Sequence, residues 1–497
     1  MKKEPVLDAN GKPKFGMADK LAYAAGDFGC NMSFSLKGTV QTFWLVFMML
    51  ETGFLSALLL IVQIWDAIND PMIGSLIDAD KRKYKMGKFK TYIFIGAVGL
   101  LVAGALVFIP APNAKTWVKA LLFILGYVIW DACYTVANVP YGSMLSLVTE
   151  ESGERAQLST WRSVGSMFGN MLPMVLLPML IWRKEVDENG DPIINPETGV
   201  QVETLLGERV FWVAIIMGIL GFIAFMFMLK KITLRVDENT VKINETQKFN
   251  VIQAFGNFLK NRPAVGATLA AMAMFLGMNS ASTATTIMFA TYFGKASMSG
   301  VVSVIGFLPM FLFMPFIKKI VAKWGKKESS AVGAAVSVVG GLLMFIFPVI
   351  DDKNAALGMY ILALCVFGIG MGIYTCVSWA LMADAIDYNE WKTGKREEGT
   401  VYSLHSFFRK LAQGIGPSIV LLLMGALGYV SQKGTEGQSL ATASNMCWLV
   451  AGLYLFSAVL MFVSLAFIYN LDSKTLKQMN AELNAAQAAE TNVSAEQ

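Results

Sequence analysis

Polar positions along the chain gather in short clusters that separate long apolar stretches. About twelve of these stretches reach the roughly 20 residues that a helix needs to cross a bilayer core. They fall at roughly 21–49, 53–78, 91–110, 116–148, 157–182, 209–230, 263–293, 299–321, 329–350, 356–384, 400–430 and 444–470. Backbone amides in hydrocarbon must be satisfied within the segment, so runs this long and rich in Leu, Met and Phe predict helices rather than barrel strands. A polar, basic linker at 231–262 divides the runs into two sets of six. Segment 183–208 holds Asp-Glu-Asn-Gly-Asp-Pro and Asn-Pro-Glu-Thr-Gly, turn-forming sequences that suit a small hairpin between two spans.

The halves repeat one feature. The basic loop at 80–90, between the second and third spans, has its counterpart at 318–327, between the eighth and ninth. Two six-helix bundles related by pseudo-symmetry describe an all-α membrane protein of the major facilitator fold, whose halves rock about a midplane cavity. The division expected is a segment 1–20, bundles 21–230 and 263–471, a linker 231–262, and a tail 472–497 that is too short and too rich in Ala, Glu and Gln for a signalling domain.

Composition fits a lipid environment. Charged residues make up 15% of the 497, against about 25% in soluble domains, and the mean hydropathy is +0.53. Lys and Arg crowd the N-terminus (Lys2, Lys3, Lys12, Lys14), the two repeated loops and the linker, which places both termini in the cytoplasm. The basic N-terminus lacks a small-residue cleavage site, so no signal peptide is expected. A net charge of +5, scattered over the chain, points to no nucleic-acid partner. Five cysteines lie in apolar runs without CxxC or CxH spacing, which argues against a disulfide scaffold or a zinc site. With one histidine and no HExxH or GxSxG, an intramembrane enzyme is disfavoured, and no cofactor is expected.

Ionisable groups inside a span cost at least about 2.5–3.5 kcal/mol each and so need a reason. On the second span, Asp66 and Asp70 stand four apart with Asn69 between them, so three oxygen-bearing side chains share a helix face. Two carboxylates this close need a cation or a proton. The competing reading is a salt bridge to a basic residue on a neighbouring helix. Thr135 and Asn138 on the fourth span can reach one cavity, with Pro140 loosening the backbone, and Asp27 and Asn31 stand four apart on the first. For the Asn residues the alternative is interhelical hydrogen bonding with no ligand. Arg162 and Lys410 should face carboxylates or an oxygen-rich ligand, or else pair with Asp27, Asp66 or Asp70. His405 and Arg409 share a face of the eleventh span, although a lone His is more often a hydrogen-bonded core residue. Asp384 and Asp387 precede a run containing Arg396 and suit a cytoplasmic gate or a solvated loop. Trp65, Trp161, Tyr134 and Tyr141 flank the polar positions, and aromatic faces stack well on sugar rings.

At four segments the chain resembles the glycoside-pentoside-hexuronide:cation symporters of the major facilitator superfamily, which include the melibiose permease and the glucuronide carrier. These are Trp65-Asp66-Ala67-Ile68-Asn69-Asp70-Pro71, Gly87-Lys88-Phe89-Lys90, Asn138-Val139-Pro140-Tyr141-Gly142-Ser143 and Ala383-Asp384-Ala385-Ile386-Asp387-Tyr388-Asn389-Glu390-Trp391-Lys392. The resemblance implies a coupling-cation site, a metal site if the ion is Na+, at Asp66, Asn69, Asp70 and Thr135. It implies a sugar site at Asn31, Asn138, Arg162, Thr375, His405, Arg409 and Lys410. The melibiose permease has acidic residues where this chain has Asn31 and Asn138, and a Trp where it has Gly142. The more positive cavity here tilts the expected cargo slightly toward a hexuronide. The function implied is inward symport of a glycoside, oligosaccharide, pentoside or hexuronide with Na+ or H+, by a monomer in the bilayer. The alternatives are a Na+-dependent lysolipid carrier and a membrane sugar sensor that does not transport.

Overall fold

The computed structural model describes residues 13–80, 82–149, 151–236, 251–394 and 398–495. The positions of Lys2, Lys3, Lys12, Lys81 and Arg396, and the middle of the linker at 237–250, lie outside them. The apolar runs are helices. In chain order they are α1 (Met17–Phe34), α2 (Leu36–Thr42), α3 (Thr52–Ala79), α4 (Lys88–Leu106), α5 (Thr116–Ser143), α6 (Leu145–Val148), α7 (Ser152–Ile181) and α8 (Gly207–Lys231). There follow α9 (Val251–Lys260), α10 (Arg262–Met288), α11 (Ser299–Trp324), α12 (Lys326–Leu343), α13 (Lys353–Thr393), α14 (Glu398–Ala426), α15 (Leu440–Val463) and α16 (Ser473–Ala495).

Among the described residues, eleven helices are long and apolar enough to cross a membrane. The first predicted span is the twelfth, broken into α1, α2 and a π-helical turn, Phe43–Phe47. Asp19, Asp27 and Ser33 are all buried along α1, which makes it less apolar than most of the other helices. The longest helix, α13, has 41 residues and at 1.5 Å per residue outruns the ~30 Å hydrocarbon core. The Asp352 carboxylate caps its start by accepting from the Ala355 amide at 2.7 Å, and Gly394, at φ 66°, ends it.

The chain forms two compact units. One comprises Met1–Glu245 with Phe289–Gly300 and Tyr429–Gln438, the other Thr246–Met288, Val301–Gly428 and Ser439–Gln497. The two short outlying segments of the first unit refine the simple division at the linker. In the first unit α1 packs on α7 and α8, and α5 on α3 and α4. A Cβ on Gly165 would lie 2.0 Å from the Ala24 carbonyl oxygen, so glycine is what lets α7 approach α1 this closely. In the second unit α10 packs on α13, α14 and α15, and α12 on α13 and α15.

The internal repeat shows in local geometry. The first span of each half ends in a five-residue π turn, Phe43–Phe47 and Phe289–Phe293, and in each the two end rings lie 5.3 Å apart. The third span of each half starts after a glycine at positive φ, Gly87 at 86° and Gly325 at 101°, followed at once by a lysine. The segment between α7 and α8 is a hairpin, with Trp182–Lys184 pairing antiparallel to Glu203–Leu205. Its Glu203 carboxylate accepts from Ser297 N at 3.0 Å and Ser297 Oγ at 2.8 Å.

Candidate functional site

In the first unit, α3, α5 and α2 bring an acidic cluster together. Helical spacing puts Asp66, Asn69 and Asp70 on the face of α3 that meets α5, and Asn69 is wholly buried there. Its amide donates to Asp131 Oδ2 at 3.1 Å and to Thr135 Oγ1 at 2.8 Å. The Thr135 hydroxyl in turn donates to Asp70 Oδ1 at 2.8 Å. Hydrogen bonds thus join three of the four residues expected to hold a cation, Asn69, Thr135 and Asp70, while Asp66 lies one turn before Asp70 on α3. Two buried oxygens of the cluster, Asn69 Oδ1 and Asp131 Oδ1, have no hydrogen-bond partner among the described residues. No group of three or more His, Cys, Asp or Glu among those residues is placed to hold a metal ion, so a cation here would draw on the neutral oxygens of Asn69 and Thr135 as well.

Two members of the cluster escaped the sequence reading. Asp131 is 1% exposed. Lys37, on α2, brings its ammonium to 3.6 Å from Asp66 Oδ2 and 3.8 Å from Asp131 Oδ1. The rings of Phe34, Tyr127 and Trp130 surround it at 5.1, 5.8 and 5.9 Å. The signal was available, because both are ionisable residues in mid-run: Lys37 in Ser35-Leu36-Lys37-Gly38 and Asp131 in Ile129-Trp130-Asp131-Ala132.

A second polar group lies between α1 and α7. Arg162 Nε donates to Asp27 Oδ1 at 2.9 Å, and its guanidinium lies over the Tyr141 ring at 5.2 Å. Of the two readings of Arg162, the pairing with Asp27 is present. Asn31 donates to Asp27 Oδ2 at 3.0 Å and accepts from Asn170 at 2.8 Å. Asn138 is half-buried, and a Cβ on Gly142 would meet nothing within 4 Å, so space remains where a bulkier residue would fit.

In the second unit, buried His405 shares a hydrogen bond between Nδ1 and Thr268 Oγ1 at 2.9 Å. One turn on, the Arg409 guanidinium lies over Trp379 at 5.3 Å and Phe275 at 5.6 Å. Its buried Nε has no partner among the described residues. The Thr375 hydroxyl is spent on the Met371 carbonyl at 2.9 Å, and Lys410 is exposed. Of the expected gate residues, Asp384 is gripped by Lys326 Nζ through both oxygens, at 2.7 and 2.8 Å. Its partner is thus the first residue of α12, 58 positions earlier in the chain. Asp387 is half-buried. A separate cleft of about 470 Å³ lies along the hairpin, between Glu185, Asn195 and Glu436, and contains none of the predicted site residues.

Eleven membrane-capable helices among the described residues, in two repeated sets with polar groups buried along them, give a multi-pass membrane protein of the major facilitator fold. The family described as MFS/sugar transport protein matches residues 22–473, and the chain belongs to it. The chain is 29% identical over 488 residues to the Bacillus subtilis "Uncharacterized symporter YjmB", covering 96% of this chain and 98% of that one. It is 26% identical to the Escherichia coli "Glucuronide carrier protein homolog", covering 93% and 94%. It is equally 26% identical to the "Isoprimeverose transporter" of Lactiplantibacillus pentosus, covering 94% and 93%. Among solved structures, the inward-open xylose transporter XylE of E. coli aligns with a TM-score of 0.57 at 14% identity, over 94% of this chain and 98% of that one. The family match over 22–473 makes the chain a member of the MFS/sugar transport proteins, and the relatives named above are themselves described as symporter, carrier and transporter.

Proposed function

We propose that the protein is a symporter that uses a monovalent cation gradient, Na+ or H+, to import a glycoside, oligosaccharide, pentoside or hexuronide by alternating access, with both termini in the cytoplasm. The observation that carries this reading is the hydrogen-bonded chain of Asn69, Thr135 and Asp70 between α3 and α5, with Asp66 one turn away on the same face of α3. Carboxylates held this deep favour states in which positive charge accompanies them. A carrier that closes readily only when that charge is balanced couples ion movement to cargo movement. By reciprocity, cargo tightens cation binding by the same factor that the cation tightens cargo binding.

Glycoside cargo is supported by the printed names of the glucuronide and isoprimeverose relatives. In this chain, Asn31, Asn138, Arg162 and, in the second unit, Thr375, His405, Arg409 and Lys410 are the candidate sugar contacts. In the second unit the Arg409 guanidinium, stacked on Trp379 and with its Nε unpartnered among the described residues, suits a carboxylate-bearing sugar. Proteoliposome uptake of labelled glucuronides and pentosides, with Na+ and proton gradients imposed separately, tests the reading. Asp66→Cys or Asp70→Cys should abolish uphill accumulation while sparing exchange. Undiminished accumulation in both variants removes these carboxylates from coupling.

A further inference from the structure

Lys37 gives the acidic cluster a property that the family resemblance does not carry. We propose that the Lys37 ammonium is the resident cation of this cluster, standing where a Na+ would stand, so that Na+ neither binds nor drives transport in this chain. The proposal rests on the transport reading above and narrows its choice of ion.

The geometry supports it in three ways. First, the ammonium already lies 3.6 Å from Asp66 Oδ2 and 3.8 Å from Asp131 Oδ1. A shift of about 1 Å toward either oxygen brings it to the roughly 2.8 Å of a charge-assisted hydrogen bond. Second, the cluster offers acceptors and has used up its donors. The Asn69 amide is spent on Asp131 and Thr135, and the Thr135 hydroxyl on Asp70. That leaves the orphaned oxygens of Asn69 and Asp131, both buried, and a tethered ammonium with three protons stands 3.8 Å from the Asp131 oxygen. Third, the faces of Phe34, Tyr127 and Trp130 hold the ammonium in place. For Na+ to take Asp66 as a ligand, Lys37 must leave that oxygen and remain as an unbalanced charge in the span, a penalty set directly against Na+ affinity. A lysine is also fixed to its helix. It balances charge without being carried across, so the Na+-driven stroke loses its cargo ion.

The test uses the purified full-length protein and Na+ alone. Thermal stability and equilibrium binding are followed as NaCl replaces choline chloride at constant ionic strength. The wild type and Lys37→Arg should show no difference between the two salts. Lys37→Asn and Lys37→Met remove the ammonium, and they should gain saturable Na+ binding at least about tenfold tighter than any wild-type response. Saturable Na+ binding by the wild type overturns the proposal whatever the variants do. Monodisperse, folded Lys37→Asn and Lys37→Met that both ignore Na+ also overturn it. In proteoliposomes, wild-type sugar uptake should agree within about twofold between Na+ and choline media. Strong Na+ stimulation overturns this proposal and leaves symport standing. Failure to accumulate any sugar under either gradient, with the Na+ titrations as expected, overturns symport and leaves the role of Lys37 standing.

Discussion

The Asp27–Arg162 pair predicts an asymmetry. The Asp27 side chain is 8% exposed and that of Arg162 39%, so removing one partner strands the other in very different surroundings. Arg162→Gln leaves a carboxylate buried, with Asn31 still donating to it at 3.0 Å. A broken buried pair costs about 3–5 kcal/mol, and the low end applies because Asn31 still donates. Asp27→Asn instead leaves a guanidinium that reaches water along its own stem and keeps the Tyr141 face. The charge-assisted hydrogen bond it loses, about 1.5–3 kcal/mol in full, falls to roughly 1 kcal/mol once screening at the wet end of Arg162 is counted. For a unit of this size each kcal/mol moves the midpoint about 2–4 °C, so Arg162→Gln should lower Tm by about 6–12 °C and Asp27→Asn by about 2–4 °C. The double variant should be more stable than Arg162→Gln alone, because it no longer buries an unpaired charge. Thermal unfolding of the four proteins in one detergent checks this. Equal losses from the two single variants, or a double variant that loses their sum, would refute the reasoning.

Other outcomes follow from single contacts. Gly165→Ala places a Cβ 2.0 Å from the Ala24 carbonyl oxygen, a backbone atom with nowhere to rotate. It should cost about 1–3 kcal/mol of stability, while Gly142→Ala, which meets nothing within 4 Å, leaves Tm unchanged. Lys326→Asp and Asp384→Lys should each reduce uptake, and the double swap should restore part of it because the two-oxygen grip is re-formed with its charges exchanged; no recovery would show that the pair does not act as a unit. Glu203→Ala removes the acceptor of the Ser297 amide and hydroxyl, a loss of about 1–3 kcal/mol, seen as faster tryptic cleavage after Arg183 and Lys184. Asp80, beyond the end of its span, accepts from the hydroxyls of Tyr84 and Tyr92, and these hold its carboxyl down to about 2. A depressed carboxylate contributes to loop order above its unfolded value, about 3.9, and the contribution is lost as pH falls through about 2. A titration midpoint near 4 for Asp80, read by isotope-edited infrared spectroscopy, would contradict this.

The sequence by itself determined the number of spans, their division into two sets, the hairpin between the sixth and its predecessor, and the residues of α3 and α5 that share a face. All of these follow from local rules: the length of an apolar run, the turn residues that interrupt it, and the 3.6-residue period that stacks Asp66, Asn69 and Asp70 on one side. Even the repeat was legible, through the basic loops, and the paired π turns and the positive-φ glycines Gly87 and Gly325 give it a local form. What only the tertiary structure decided was partnership. Arg162 had three carboxylates to choose from and took Asp27. Asp384 took Lys326, 58 positions away. Lys37 and Asp131 joined the α3 carboxylates from helices whose own periodicity says nothing about α3. The reason is physical: a helix fixes which residues lie together on its own face at spacings of three and four, whereas the pairing of charges between helices depends on which faces meet and at what depth, and that is set by packing over the whole bundle.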